Sequence, residues 1–288
     1  MPKTLLVTGA STGLGVALSV QAAQAGFETY ATMRNLDKRA TLDAAAAAAG
    51  VTLNVLQLDV EDTASVEAAV AKVIANHGRI DVLVANAGVG FVRSTEQATE
   101  EEIRWVMDVN FMGLVRSTKA VIGHMRQARS GRIIAISSVG GLAGQPFNEI
   151  YCASKFAVEG YIEGLASYVG PAFGLHFTVV EPGGISSEFA NSVLARLQDS
   201  GGMLEDEYLP LLQRYIGSRE GRSEGVFQTP DEVAKIVIRC ATQDTPPIRT
   251  RTSDWSEQIT ALKTSVDPDG RKLQAQILAE FMPGLESR

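Results

Sequence analysis

A chain of 288 residues, 45% hydrophobic and 20% charged, is long enough to bury about three quarters of the surface its unfolded form exposes, as one large α/β domain or two ordinary ones. Its 26 Lys and Arg against 33 Asp and Glu give a net charge of −7, which excludes nucleic-acid binding through a general basic field. Cys152 and Cys240 are too few for a disulfide framework, and with His77, His124 and His176 they show no zinc or iron–sulfur spacing, so no metal is expected.

The first apolar run, Leu5-Leu6-Val7, is far too short for a signal peptide, and no stretch approaches the roughly 18 to 20 apolar residues of a membrane span. A cytoplasmic chain without membrane insertion is expected. From the N-terminus to about residue 181, short β-branched runs alternate with helical patterns. Strands are predicted at 4–8, 28–32, 52–58, 80–85, 132–137 and 176–181, and helices at 13–25, 36–49, 63–76, 99–126 and 152–170. Thr99-Glu100-Glu101-Glu102 opens one helix as a capping box, and Asn76-His77-Gly78 closes another. Runs such as Val82-Leu83-Val84 and Ile133-Ile134-Ala135-Ile136 are apolar without alternation, as strands covered on both faces are.

The pattern predicts a Rossmann-type, doubly wound parallel sheet with helices on both faces, whose ligands bind beyond the carboxyl ends of the strands. After Pro182 the regularity fades. Residues 186–225, with a Gly201-Gly202 break and glycines at 217, 221 and 225, read as a mobile substrate-covering insert within a single domain spanning 1–288. Thr229-Pro230-Asp231-Glu232 starts a capped helix, and a last strand is expected near 248–252.

Two motifs carry chemistry. Thr8-Gly9-Ala10-Ser11-Thr12-Gly13-Leu14-Gly15 lies between the first strand and first helix, where glycines admit a pyrophosphate to the helix N-terminus; a tight turn alone is the other reading. Tyr151-Cys152-Ala153-Ser154-Lys155 puts a phenol and an ammonium on one helical face. The cation favours the phenolate and brings the tyrosine toward useful proton transfer; a surface Tyr–Lys pair is the plain alternative. Ser137-Ser138 and Asn86-Ala87-Gly88 sit at ligand-side strand ends.

Together these residues resemble the short-chain dehydrogenase/reductase family, over roughly residues 3 to 190, in the branch with Thr-Gly-x-x-x-Gly-x-Gly spacing. The resemblance implies that Tyr151 is the general acid/base and that Lys155 lowers its pKa while bonding the nicotinamide ribose. Ser138 then matches the serine that holds the substrate oxygen, with Ser137 its structural neighbour. Asn110 matches an asparagine holding a water in the proton relay; read alone it is a helix-kinking or core-satisfied amide. Asp59, beside Val60, matches the carboxylate on adenine, or else caps the next helix. Asn86, Ala87 and Gly88 pack beneath the cofactor, the Asn86 side chain being structural, while Pro182, Gly183 and Ser187 cover the carboxamide.

Selective binders of NAD place an acid at the end of the second strand. Here Met33 stands there with Arg34 following, a fork suited to a 2′-phosphate, so NADP(H) is the preferred cofactor and NAD(H) the alternative. Asp37 and Lys38 read as too far along their helix to matter. The implied reaction interconverts an apolar ketone or aldehyde with its alcohol, in a homodimer or homotetramer. A catalytically silent NADP-sensing or scaffold protein is the competing reading. The pocket is expected between 89–94, 139–150 and 184–225, with Val89, Phe91, Leu142, Phe147, Phe189 and Leu194 making it apolar. Trp105 and Met107 read as core or subunit-contact residues, Cys152 as packing, Trp255 as packing or else a border of the pocket, and His77 as a helix-end cation.

Overall fold

The computed structural model describes residues 2–199, 201–220 and 226–281. Strands β1 (Thr4–Val7), β2 (Glu28–Met33), β3 (Asn54–Gln57), β4 (Val82–Ala85), β5 (Gly131–Ile136), β6 (Leu175–Glu181) and β9 (Arg249–Arg251) form one sheet, ordered β3-β2-β1-β4-β5-β6-β9. All six neighbouring pairs are parallel. This is the doubly wound sheet that the sequence predicts. The chain winds outward from β1 to β3, then returns to lay β4 on the other side of β1. That reversal opens a crevice at the β1 and β4 ends, the place where such sheets take ligands.

The strands lack alternation because both faces are covered. Leu5, Val7, Val82, Val84, Ile134 and Ile136 pack under α1 (Gly13–Gln24), α2 (Ala40–Ala49) and α9 (Pro230–Thr242). Their neighbours Leu6, Leu83, Ala85, Ile133 and Ala135 pack under α3 (Thr63–His77), α5 (Gly113–Ala128) and α6 (Glu149–Phe173). One sheet thus serves two cores, each burying its apolar area for roughly 25 cal/mol per Å².

Several boundaries depart from the sequence reading. The helix expected over 99–126 is two helices, α4 (Glu100–Met107) and α5, joined through a π-helical turn at Asp108–Met112. Its Thr99 capping box is present, with Thr99 Oγ1 accepting from Glu102 N. The helix expected from 36 begins as a 3₁₀ turn, Leu36–Lys38, whose Asn35 side chain accepts from Asp37 N. The tyrosine helix starts earlier than expected, at Glu149, and runs past Pro171.

The segment expected as an insert holds α7 (Glu188–Asp199) and α8 (Leu209–Glu220); just before it β7 (Gly184–Ile185) pairs parallel to β8 (Phe227–Gln228), just after it. Residues 200 and 221–225 of it, including Gly221 and Gly225, lie outside the described residues. Two further helices follow β9: α10 (Asp254–Thr264) and α11 (Arg271–Phe281). Sequence periodicity misses α10 because three of its buried positions are Ser256, Thr260 and Thr264. Their stripe is hydroxylic: Thr260 and Thr264 each donate to a carbonyl four residues back, which satisfies a buried hydroxyl without a tertiary partner. Among the described residues no helix is long and apolar enough to cross a membrane.

Candidate active site at the carboxyl ends of the strands

Thr8, just past β1, ties the two central strand ends together. Its Oγ1 accepts from the backbone N–H of Asn86 and of Ala87, both at 3.0 Å. Asn86 in turn donates Nδ2 to the carbonyls of Thr8 and Gly9 at 2.9 Å. The turn after β1 is therefore fixed against the β4 end, and its glycines are forced. Gly9 has φ 72°, and a Cβ there would lie 2.8 Å from Ala87 Cα; at Gly15 it would lie 2.1 Å from the Gly9 carbonyl oxygen. Gly13, at φ 53°, backs onto Ser187, whose Cβ would be 3.1 Å from an added methyl. Thr12, the N-cap of α1, makes no side-chain cap bond, so its side chain does not take up the N–H donors of that helix end. A backbone cradle at a helix N-terminus suits a pyrophosphate, and these residues fit a dinucleotide.

The cradle opens into a cavity of about 1200 Å³ running over the ends of β1 to β6. Gly9, Ser11, Thr12, Gly13, Leu14, Gly15, Arg34, Asp59, Val60, Asn86, Ala87, Gly88, Ser138, Tyr151, Lys155, Pro182, Gly183 and Ser187 all line it. Asn110 does not. It lies behind the wall, in the π turn, with its amide bonded on every side: Oδ1 accepts from Val89 N at 2.7 Å, and Nδ2 donates to Val89 O and to Ser154 Oγ. The Asn110 side chain is thus a brace between the loop after β4 and the tyrosine helix. A π turn at such a place is a frequent device for aiming one residue out of helical register.

Ser138 follows the end of β5 and caps the short 3₁₀ turn Val139–Gly141, accepting from Gly140 N at 3.0 Å. Gly140 stands between the two hydroxyl-bearing residues: a Cβ there would lie 3.3 Å from Tyr151 Cε1 and 3.4 Å from Ser138 Oγ. Lys155 is buried, donates to Ile136 O at 2.9 Å, and holds Nζ 5.8 Å from the centre of the Tyr151 ring. Burial pushes its ammonium down to about 8, opposed by the nearby Glu159 carboxylate. The positive charge beside the Tyr151 ring is therefore lost within the accessible pH range. If Tyr151 and Lys155 act together as the sequence reading expects, kcat/KM falls as pH rises through about 8, since kcat/KM reports groups of the free enzyme; a pH–rate profile flat between about pH 7 and 10 contradicts it.

At the substrate end, Val89, Phe189 and Leu194 line the cavity as expected. Phe91, Leu142 and Phe147 do not; they are buried in the surrounding protein. Phe147, at φ 57°, packs its ring edge-on to Tyr208 and tilted on Tyr215. Trp105, read from sequence as a core or subunit-contact residue, and Trp255, read as packing or a border of the pocket, line the cavity, Trp105 beneath the Arg196 guanidinium at 3.3 Å and Trp255 against Gly183. Lys38 lines it too, because the 3₁₀ turn replaces the helix that would have carried it away. Sequence reading misses Glu61 and Phe227 as wall residues, whereas Tyr215 and Ile216 line the wall within the segment 184–225 where the pocket is expected. Cys152 is buried beside Gly140, and burial pushes its thiol up, which fits packing. His77 ends α3 and bonds Tyr30 Oη through Nε2 at 2.8 Å.

Comparison with known proteins places these features in company. The short chain dehydrogenase profile matches residues 3–198. Retinol dehydrogenase 8 of Bos taurus is 39% identical over 282 residues, covering 93% of this chain and 87% of its own. The 17-beta-hydroxysteroid dehydrogenase type 1 of Homo sapiens is 36% identical over 272 residues, covering 92% and 82%. The structure of an actinorhodin polyketide ketoreductase variant with NADPH superposes with TM-score 0.73 at 27% identity, covering 87% and 96%.

Proposed function

The chain belongs to the short chain dehydrogenase family, and on that premise we propose that it is an NADP(H)-dependent oxidoreductase interconverting an apolar ketone or aldehyde with its alcohol. The reading is carried by one observation: Ser138, Tyr151 and Lys155 line the same cavity as the glycine cradle. When bound, the nicotinamide supplies or takes up the hydride. Tyr151 gives its proton to the carbonyl oxygen in reduction and takes it back in oxidation. Lys155, held by the Ile136 carbonyl, keeps a positive charge near the phenol and so stabilises its deprotonated form. Ser138 offers a hydroxyl to the same oxygen, and Asn110 fixes the Val89 backbone that forms the adjoining wall.

NADP(H) is favoured over NAD(H) because Met33 carries no charge while Arg34 and Lys38 line that end of the cavity. The apolar substrate is supported by Val89, Phe189, Leu194, Phe227 and Trp255 along the wall and by the retinol and hydroxysteroid named for the relatives. Exposed Met112, Phe156 and Tyr168 on the π turn and α6 support pairing with a second copy.

The test is NADPH consumption over a panel of steroidal, retinoid-like, aromatic and small hydrophilic carbonyl compounds. Large apolar members are expected to be reduced with kcat/KM at least about a hundredfold above the hydrophilic ones, as several buried methylenes at about 0.8 kcal/mol each imply. Preference for the small hydrophilic members contradicts the substrate class.

A further inference from the structure

Glu61 belongs to no motif, yet its carboxylate meets Arg34 at the mouth of the cavity. Oε2 lies 3.1 Å from Arg34 Nη1, and both residues line the wall with Met33, Lys38 and Asp59. Neither partner hangs on a loose backbone. The Glu61 N–H donates to Asp59 Oδ1 at 3.1 Å, and Asp59 N–H to Ser65 Oγ at 3.0 Å, so the turn after β3 is fixed. On the other side Gln57 Nε2 donates to the Arg34 carbonyl at 3.2 Å. The Glu61 side chain is 28% exposed and that of Arg34 68%, which leaves the guanidinium able to turn toward a new anion while the carboxylate stays.

We propose that Glu61 is a specificity-determining residue that competes with the 2′-phosphate of NADP(H) for Arg34 and so narrows the preference for NADP(H) over NAD(H). The inference rests on the dinucleotide reading of the cavity. A 2′-phosphate brings up to two negative charges to an end of the cavity that holds two cations, Arg34 and Lys38, and two carboxylates, Asp59 and Glu61, of which Glu61 is the one paired with Arg34. It must draw Arg34 away from Glu61 or share it, and it meets like-charge repulsion either way. NAD(H), with no phosphate there, meets neither cost. Met33, at the end of β2, provides no acid to reject the phosphate, so the opposing charge comes instead from the turn after β3.

Direct binding decides this without reference to turnover. The full chain is titrated with NADPH and with NADH, following quenching of tryptophan fluorescence, for the wild type, Glu61→Gln, Arg34→Ala and the double variant. Glu61→Gln is expected to tighten NADPH about threefold to tenfold and to leave NADH unchanged or weaker, the gain shrinking as salt is raised. In the Arg34→Ala background the gain for NADPH is expected to shrink, since Glu61 acts in part through that guanidinium. Equal changes for both cofactors, or no change for either, overturn the role of Glu61. A wild type that binds NADH more tightly than NADPH overturns the proposed preference, yet the shift in the ratio still decides Glu61. Failure to bind either cofactor overturns both.

Discussion

Replacing Tyr151 by Phe is expected to lower kcat about 10²- to 10⁴-fold, the range that a positioned general acid–base contributes, while the Kd for NADPH changes less than about threefold. The substitution removes one hydroxyl and keeps the ring. The ring's contacts, 6.2 Å from Phe189 between centroids and 5.8 Å from Lys155 Nζ, persist. The glycine cradle lies on the turn after β1 and keeps every residue in the variant, so binding and turnover are expected to separate. Paired cofactor titration and steady-state kinetics on the two proteins check this. Turnover within tenfold of the wild type removes Tyr151 from the proton-transfer role.

Arg251→Met is expected to destabilise the fold by about 3–5 kcal/mol near neutral pH, the usual result of leaving a buried charge without its partner. Arg251 is almost wholly buried. Its Nη1 donates to Glu181 Oε2 at 3.1 Å, Nε to Glu257 Oε2 at 2.9 Å and Nη2 to Pro268 O at 2.8 Å. Burial raises the Glu181 carboxyl and Arg251 opposes the rise. A second buried acid, Glu159, faces it and is held well above the ordinary range by burial and by Glu181. Without Arg251 the folded-state pKa of Glu181 climbs further above its unfolded value. Stability from a raised carboxyl is fully present below the unfolded pKa and lost as pH rises through the folded one. The deficit of Arg251→Met therefore grows as pH is raised from the ordinary carboxylate range toward neutrality, and denaturant unfolding at several pH values checks it. Adding Glu181→Gln is expected to recover most of the loss. Glu181 ends β6 directly before Pro182 and Gly183 of the cavity wall, so loosening this cluster reaches the site. An unchanged midpoint at neutral pH contradicts the expectation.

The sheet and the glycine cradle were legible in the sequence for a physical reason. Strands buried on both faces read as unbroken apolar runs, and a position where an added Cβ would meet another backbone within 3 Å has to be glycine, as at Gly9 and Gly15. The grouping of Ser138, Tyr151 and Lys155 was legible because one helix carries two of them and a strand end carries the third. What stayed hidden depends on tertiary choices that leave no periodic trace. Helix α10 buries hydroxyls in place of apolar side chains. A 3₁₀ turn, not a helix, returns Lys38 to the cavity. Trp105 and Trp255 look like core residues, and only the placement of the surrounding helices makes them wall. Glu61 was invisible because its meaning lies in Arg34, which is 27 positions away in sequence and 3.1 Å away in space.

The most direct measurement is product analysis by mass spectrometry after incubating the protein with NADPH and a large apolar ketone, with Tyr151→Phe alongside. An enzyme of the proposed kind yields the corresponding alcohol, one molecule for each NADPH consumed, and the Phe variant yields almost none. Recovery of unchanged ketone across the whole panel, with NADPH and NADH alike, would contradict the assignment.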